Sequence, residues 1–257
     1  MSEFNTTFNN AVAAYEKSRP LYVKELYEDI WRYYPLGEDS KVLEIGMGTG
    51  KATEPFLQTG CSLVGIEPGE NLLQMAGKNL AGYEKVTFFN GTLQEYACEP
   101  ESFDLIYAAT AFHWIPEEYG YPRVFELLKK GGTFARFAYH AGPDYSRPEL
   151  QADIQALYQK YVGKGESSKA FDIEAAGKLA ETAVKYGFED IKYSIYHMDK
   201  DFTAEEYMEL LRTYPDHMAL EEERRQGLFT GIYQAIREYG GIITVHYIMD
   251  LELARKR

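Results

Sequence analysis

Apolar positions along the 257-residue chain follow two different rhythms. Between residues 41 and 139, short apolar runs ending in glycine or an acid alternate with stretches of helical period. KVLEIG (41–46), SLVGIE (62–67), VTFFNG (86–91), FDLIYAA (103–109) and TFARFAY (133–139) read as strands. A helix begins within 51–58, NLLQMAGKNL (71–80) is a second, and YPRVFELLKKGG (121–132) is a third, stopped by its glycines. This alternation predicts right-handed βαβ units and a parallel sheet covered on both faces.

Outside that region the spacing is mostly helical. Residues 1–35 read as helix with a break at Arg19-Pro20, and 148–163 and 173–187 as two more helices, the latter stopped by Gly187. FEDIKYSIYHMDKDF (188–202) alternates as a strand does, and IITVHYIMDLELARK (242–256) is a long final strand. TAEEYMELLRTYPDHM (203–218) opens with a capping box, Thr203 and Glu206, and 221–241 is a helix closed by glycines. The roughly 40 residues between the last two strands are too many for a hairpin turn. The expected architecture is α/β, a doubly wound, seven-stranded, mostly parallel sheet with helical cap insertions. One domain spans 1–257, its core drawn from about 36–140, 173–202 and 240–257 and its cap from about 1–35, 141–172 and 203–239.

Charge narrows the partners. The net charge is −13, with 27 basic and 40 acidic residues, and the one basic cluster is the tail ARKR at 254–257. A nucleic-acid binder ordinarily presents a basic face, so this balance disfavours nucleic acid. No apolar run approaches the roughly 20 residues of a membrane span, and no basic flank precedes an apolar segment as in a secretory signal. Cys61 and Cys98 have no metal spacing, which suits a reducing, cytoplasmic setting and no metal. A monomer or homodimer is expected.

The chemistry concentrates in VLEIGMGTGKAT (42–53), where a strand runs into Gly46, Gly48 and Gly50. A dinucleotide turn has G-x-G-x-x-G, and here Lys51 stands where the third glycine would be. Glu44, two residues before the turn, would repel a pyrophosphate. It suits a cationic ligand without phosphate, such as S-adenosylmethionine with its ammonium and sulfonium. Glycines at 46 and 48 let the main chain pass close to such a ligand where a Cβ would collide. Glu67 ends the second strand, 17 positions after Gly50, where an acid can accept both ribose hydroxyls.

These stretches, with VGIEPGENLLQMA, FFNGTLQEY and FDLIYAATAFHWI, resemble the successive motifs of class I S-adenosylmethionine-dependent methyltransferases. AYEKSRPLY (14–22), FTAEEYMELLRTYPDH (202–217) and GGIITVHYIMDLELAR (240–255) resemble the trans-aconitate methyltransferase-like, small-molecule (methyltransferase type 11-like) branch. The resemblance covers most of the chain and implies a Rossmann-like fold. It further implies S-adenosyl-L-methionine as cofactor and S-adenosyl-L-homocysteine as product. Glu44 with the backbone of Gly46, Met47 and Gly48 would hold the methionine moiety. Glu67 would hold the ribose, with Pro68 and Leu72 near the adenine. Thr92, standing where many members carry Asp, and Leu93 would meet the adenine edge. Ala109 and Thr110 would line the floor under the sulfonium.

The implied reaction is an in-line displacement onto a small-molecule O or N acceptor, with a carboxylate among the candidates. Placement and electrostatics are then the protein's part. His113, beside Trp114 in AFHWI, is the candidate general base and Trp114 a candidate pocket wall. Tyr15, Arg19 and Tyr22 form an aromatic–cation–aromatic patch suited to a carboxylate of cofactor or substrate. Arg212, Tyr214 and His217 offer a second grip in the cap, while His197 and His246 read as strand residues. An RNA methyltransferase, a catalytically silent cofactor-binding regulator and an NAD-dependent oxidoreductase are the competing readings.

Overall fold

The computed structural model describes residues 12–163 and 171–257. Residues 1–11 of the expected N-terminal helix, and 164–170 of the expected cap, lie outside the described residues. The chain divides into two compact units. One comprises 1–20, 140–171 and 197–248, the other 21–139, 172–196 and 249–257. Three of the five boundaries fall inside strands.

The larger unit holds the strands β1 (Lys41–Ile45), β2 (Ser62–Glu67), β3 (Val86–Asn90) and β4 (Phe103–Ala109), and most of β5 (Leu128–Gly142). With β6 (Phe188–Thr203) and β7 (Ile242–Lys256) they form one seven-stranded sheet, in the order β3-β2-β1-β4-β5-β7-β6. The pairs β1–β2, β1–β4, β2–β3 and β4–β5 are all parallel. The helices of this unit are α2 (Lys24–Tyr33), α3 (Glu54–Leu57), α4 (Glu70–Asn79), α5 (Glu117–Leu127) and α7 (Ile173–Ala180). Leu43, Ile45, Ile66, Ile106, Phe134 and Phe188 are buried in one apolar cluster with Val124 and Leu127 of α5. Tyr107, Phe56 and Phe137 stack in another, with ring centroids 4.0 Å apart for Tyr107–Phe56 and 5.9 Å for Tyr107–Phe137. Each packed side chain of this kind contributes roughly 1.5–3 kcal/mol.

The smaller unit is largely helical: α1 (Val12–Ser18), α6 (Pro148–Tyr161), α8 (Ala204–Leu211), α9 (Pro215–Met218) and α10 (Glu222–Glu238). Helix α10 packs on α6 and α8, and α1 on α8. Leu228, Ile232 and Ile236, four residues apart, form the buried face of α10. Gly231 lets α10 approach α6, since a Cβ there would lie 2.5 Å from Leu157 Cδ2.

Three elements differ from expectation for local reasons. The helix foreseen over 121–132 ends at Leu127, and Lys129–Gly132 belong to β5. Gly131, at φ +77°, takes up a register shift between β4 and β5, so these glycines bulge a strand and do not stop a helix. The helix foreseen over 203–218 is two, α8 and α9. Its capping box is present, but the residue before Pro215 is driven out of helical geometry. The helix foreseen from 51 is only the four residues of α3, because Gly48–Thr53 form a run of turns. Among the described residues no helix is long and apolar enough to cross a membrane, and no group of His, Cys, Asp and Glu could hold a metal ion.

Candidate functional site

The glycine turn grows directly out of β1. Gly46 and Met47 both donate their backbone N–H to Ile66 O of β2, at 2.9 and 3.0 Å, and Gly50 N–H returns to Met47 O at 3.0 Å. Gly46, Gly48 and Gly50 have φ of +73°, +59° and +85°, left-handed values that L-residues avoid. A Cβ on Gly46 would stand 2.4 Å from Ala111 Cβ. The turn is therefore possible only as bare backbone. The Met47 side chain folds over β2, where Gly65 makes room. A Cβ on Gly65 would lie 2.2 Å from Met47 Cε.

Two carboxylates attend this turn. Glu67, at the end of β2, accepts from Gly48 N–H through Oε2 and from Gly69 N–H through Oε1, each at 2.8 Å. It thus ties the glycine turn to the start of α4. Burial raises its pKa, and the two backbone donors pull it back. Glu44 is deeper, at 1% exposure. Its Oε2 accepts from the Thr53 hydroxyl at 2.6 Å, while its Oε1 is buried with no hydrogen-bond partner. Burial pushes the Glu44 carboxyl up to about 8, against the opposing pull of the Thr53 and Tyr107 hydroxyls, and the charge of Glu67 adds to the rise. An orphaned acceptor beneath a backbone cradle suits a ligand that brings a donor and positive charge, and disfavours one that brings phosphate.

The neighbouring residues divide by environment. Leu72 is buried and lies within 3.0 Å of where a Cβ on Gly69 would be, next to half-buried Pro68. Thr92 is half-buried, and both its N–H and its hydroxyl donate to Glu95 Oε2 at 2.8 Å. The Leu93 side chain lies in the apolar cluster beneath the sheet, so only its backbone is left to meet a ligand. Ala109 and Thr110 end β4 half-buried. Thr110 has φ +52°, costly for a β-branched residue. Its hydroxyl pairs with the Tyr22 hydroxyl at 2.6 Å, and the Tyr22 ring is set edge-on to Phe137 at 4.8 Å. His113 and Trp114 lie in a single exposed turn of 3-10 helix after β4, with rings 5.0 Å apart and Trp114 49% exposed.

In the helical unit, Arg19 is 8% exposed and donates to Thr213 O at 2.8 Å. Its guanidinium lies 4.3 Å from the Tyr214 ring and 5.4 Å from the Tyr15 ring. His217 is buried beside them. Its Nε2 meets the Tyr158 hydroxyl at 2.7 Å and its Nδ1 meets Asp216 at 3.1 Å, so both ring nitrogens are engaged. Arg212 is exposed and pairs with Glu209 one turn back. The structure thus groups Tyr15, Arg19, Tyr214 and His217, and sets Arg212 apart.

Sequence reasoning overlooked four groups of this site. Thr53 is hydrogen-bonded to Glu44, Gly69 holds Glu67, Tyr107 faces Glu44 across the sheet, and Gly65 seats Met47. Only Gly65 left a signal, as a lone glycine inside a strand, which marks a close approach.

Comparison with known proteins agrees with this geometry. Residues 42–132 match a family model described as a methyltransferase domain. The chain is 28% identical to "Probable S-adenosylmethionine-dependent methyltransferase CRG1" of Saccharomyces cerevisiae, over 76% of this chain and 69% of that protein. It is 24% identical to "Uncharacterized methyltransferase C25B8.09" of Schizosaccharomyces pombe, over 90% of this chain and 87% of that one. In fold it is similar to a protein of Anaeromyxobacter dehalogenans assigned as a type II methyltransferase. The TM-score is 0.67 at 19% identity, covering 92% of this chain and 97% of that one. It is also similar to Haemonchus contortus phosphoethanolamine N-methyltransferase 2 in complex with S-adenosyl-L-methionine, with a TM-score of 0.57 at 19% identity. That match covers 100% of this chain and 60% of that one.

Proposed function

The chain is a class I S-adenosylmethionine-dependent methyltransferase, and from that premise we propose that its acceptor is a small molecule carrying an O or N nucleophile, a carboxylate included. The −13 charge and the single basic cluster at 254–257 support this over an RNA acceptor. The likeness of AYEKSRPLY and FTAEEYMELLRTYPDH to the trans-aconitate methyltransferase-like branch supports a small organic acid among the acceptors. The Haemonchus contortus enzyme, whose complexes include phosphomonomethylethanolamine, gives an example of a small amine acceptor on this fold. A cytoplasmic setting fits the cysteine usage.

The observation that carries the reading is the phosphate-averse turn: three left-handed glycines, Glu67 pinned to two backbone N–H groups, and Glu44 buried with an unfilled acceptor. When bound, S-adenosylmethionine supplies a methyl carbon already activated by positive sulfur. Glu44 would offer Oε1 to the cofactor's cationic end, beside the backbone of Gly46, Met47 and Gly48. Glu67, with lone pairs left beyond its two backbone donors, would accept from the ribose hydroxyls. Pro68, Leu72 and the backbone of Thr92 and Leu93 would flank the adenine. Thr110, fixed in a left-handed conformation and held by Tyr22, would keep the β4 end rigid near the reacting centre. Full alignment of nucleophile, methyl and sulfur, to which such rigidity contributes, is worth about 7 kcal/mol or more in well-held cases. His113, exposed at the first turn after β4, would take the proton from a hydroxyl or amine acceptor, and an anionic carboxylate would need no base. Within the helical unit, Arg19, near two tyrosine rings, is a cation suited to a carboxylate ligand.

The test is methyl turnover with labelled cofactor over a panel of small carboxylic acids, phenols and amines, with tRNA and rRNA fragments alongside. Turnover on a small molecule is expected. Turnover confined to RNA would overturn the assignment.

A further inference from the structure

Glu44 presents an unusual electrostatic situation. It is 1% exposed, and among the described residues no cationic side chain bears on its carboxyl. One oxygen takes the Thr53 hydroxyl and the other takes nothing. In the parallel register of β1 and β4, Glu44 stands directly opposite Tyr107, and directly opposed residues share a sheet face. Tyr107 is fully buried, and its hydroxyl also lacks a hydrogen-bond partner. Its ring stacks on Phe56 at 4.0 Å and lies near-parallel to Phe137 at 5.9 Å, which restricts its movement. Two orphaned polar groups, one a potential donor and one an acceptor, therefore face each other across the sheet in a dry environment.

Three titratable groups act on Glu44 from the elements around it. Tyr107 of β4, whose hydroxyl is close without being hydrogen-bonded, acts to lower its pKa, and Glu67 of β2 raises it by like charge. Tyr27 of α2 feels the Glu44 charge in turn. Burial among these groups, with no cation among the described residues acting on it, pushes this carboxyl toward its protonated form. A ligand cation changes the balance, because it is the one opposite charge the pocket lacks.

We propose that Glu44 gives up a proton to solvent when the cofactor's ammonium end arrives, and that Tyr107 is a positioning residue whose hydroxyl donates to the carboxylate so formed. This rests on the cofactor reading above. The sign follows from linkage. With a Glu44 value of about 8 in the free protein, binding at lower pH must expel the proton. Affinity then rises with pH, by about tenfold per unit between pH 5.5 and 7. At pH 7 roughly nine-tenths of a proton leaves per cofactor bound. In the ligand-free protein the raised carboxyl works the other way. Its contribution is fully present below the ordinary carboxylate range and is lost as pH rises toward 8.

The experiment is calorimetric titration with S-adenosylmethionine from pH 5.5 to 7, in buffers of different ionisation enthalpy. Wild type should release close to one proton and show the tenfold slope. Glu44→Gln should release none and bind with a flat profile, and its ligand-free stability should lose the decline between pH 5 and 8. Tyr107→Phe should still release the proton but move the affinity profile to higher pH, which lost packing alone would not do. If that variant does not fold, Thr53→Val should move the profile in the same direction, since it too removes a donor from Glu44. Cofactor binding with no proton release overturns the proposal and leaves the cofactor reading standing. Proton release that survives Glu44→Gln assigns the proton to Glu67 and likewise overturns it. A profile that neither Tyr107→Phe nor Thr53→Val moves removes Tyr107 from its role. No binding of S-adenosylmethionine at any pH overturns the cofactor reading itself.

Discussion

Replacing Gly46 by alanine isolates the physical reason for the glycine turn. Two costs add. Holding an L-residue at φ +73° costs roughly 1–2 kcal/mol. The new methyl would stand 2.4 Å from Ala111 Cβ, and overpacking of that kind costs about 1–3 kcal/mol. Together they shift the folding equilibrium by about 2–5 kcal/mol, or roughly 30- to 5,000-fold. The two costs can be separated. Adding Ala111→Gly removes the opposing methyl, so the double variant should recover the overpacking share and keep the conformational one. Gly50→Ala makes a useful comparison. Its φ is +85°, but the nearest atom to a Cβ is the end of the Leu80 side chain at 3.0 Å, which can move. It should cost only about 1–2 kcal/mol. Urea unfolding of wild type and these three variants, read as a midpoint shift at constant slope, measures all of these. The reasoning is refuted if Gly46→Ala is as stable as wild type, or if Ala111→Gly gives no recovery in the Gly46→Ala background.

Three further outcomes are expected. Glu67→Ala should weaken S-adenosylhomocysteine binding by about 1–3 kcal/mol, since it removes charged hydrogen bonds and frees Gly48 and Gly69; an isothermal titration with unchanged affinity would argue against the ribose role. His113→Ala should spare cofactor affinity and slow turnover on hydroxyl or amine acceptors more than on carboxylates, a contrast that steady-state kinetics on matched acceptors would reveal. Asp144 is buried, which alone would raise its pKa, but the Ser146 hydroxyl, the Thr244 and Ser146 N–H groups and Arg147 together hold it below the usual carboxylate range. Its contribution is therefore present above about pH 4 and lost as pH falls through the lower folded value, so Asp144→Asn should flatten the acid limb of a stability curve taken from about pH 5 to 2.5.

Much of the site was legible in one short stretch, because a turn that admits only backbone demands glycine by name. Gly46, Gly48 and Gly50 therefore announced the turn, and Glu44 stood out as the acid just before it. The partners of these residues were not legible. Thr53 reaches Glu44 from nine residues away, and Gly48 reaches Glu67 from 19 away, and neither spacing has a sequence period. Tyr107 looked like any aromatic in an apolar strand, and only the register of β1 against β4 sets it opposite Glu44. In the cap, Arg19 and Arg212 read alike as cations near tyrosines. Packing distinguishes them: Arg19 is enclosed by rings and a backbone carbonyl, while Arg212 is spent on Glu209 at the surface. The helix over 121–132 was misjudged because glycine ends a helix and bulges a strand with the same left-handed φ, and only strand pairing decides between them.

The account stands on an acidic, phosphate-averse turn, and the most direct test is a calorimetric competition on the purified chain. S-adenosylmethionine and S-adenosylhomocysteine should bind at one shared site, and NAD should give no heat and displace neither. Tight NAD binding unaffected by S-adenosylhomocysteine would contradict the account.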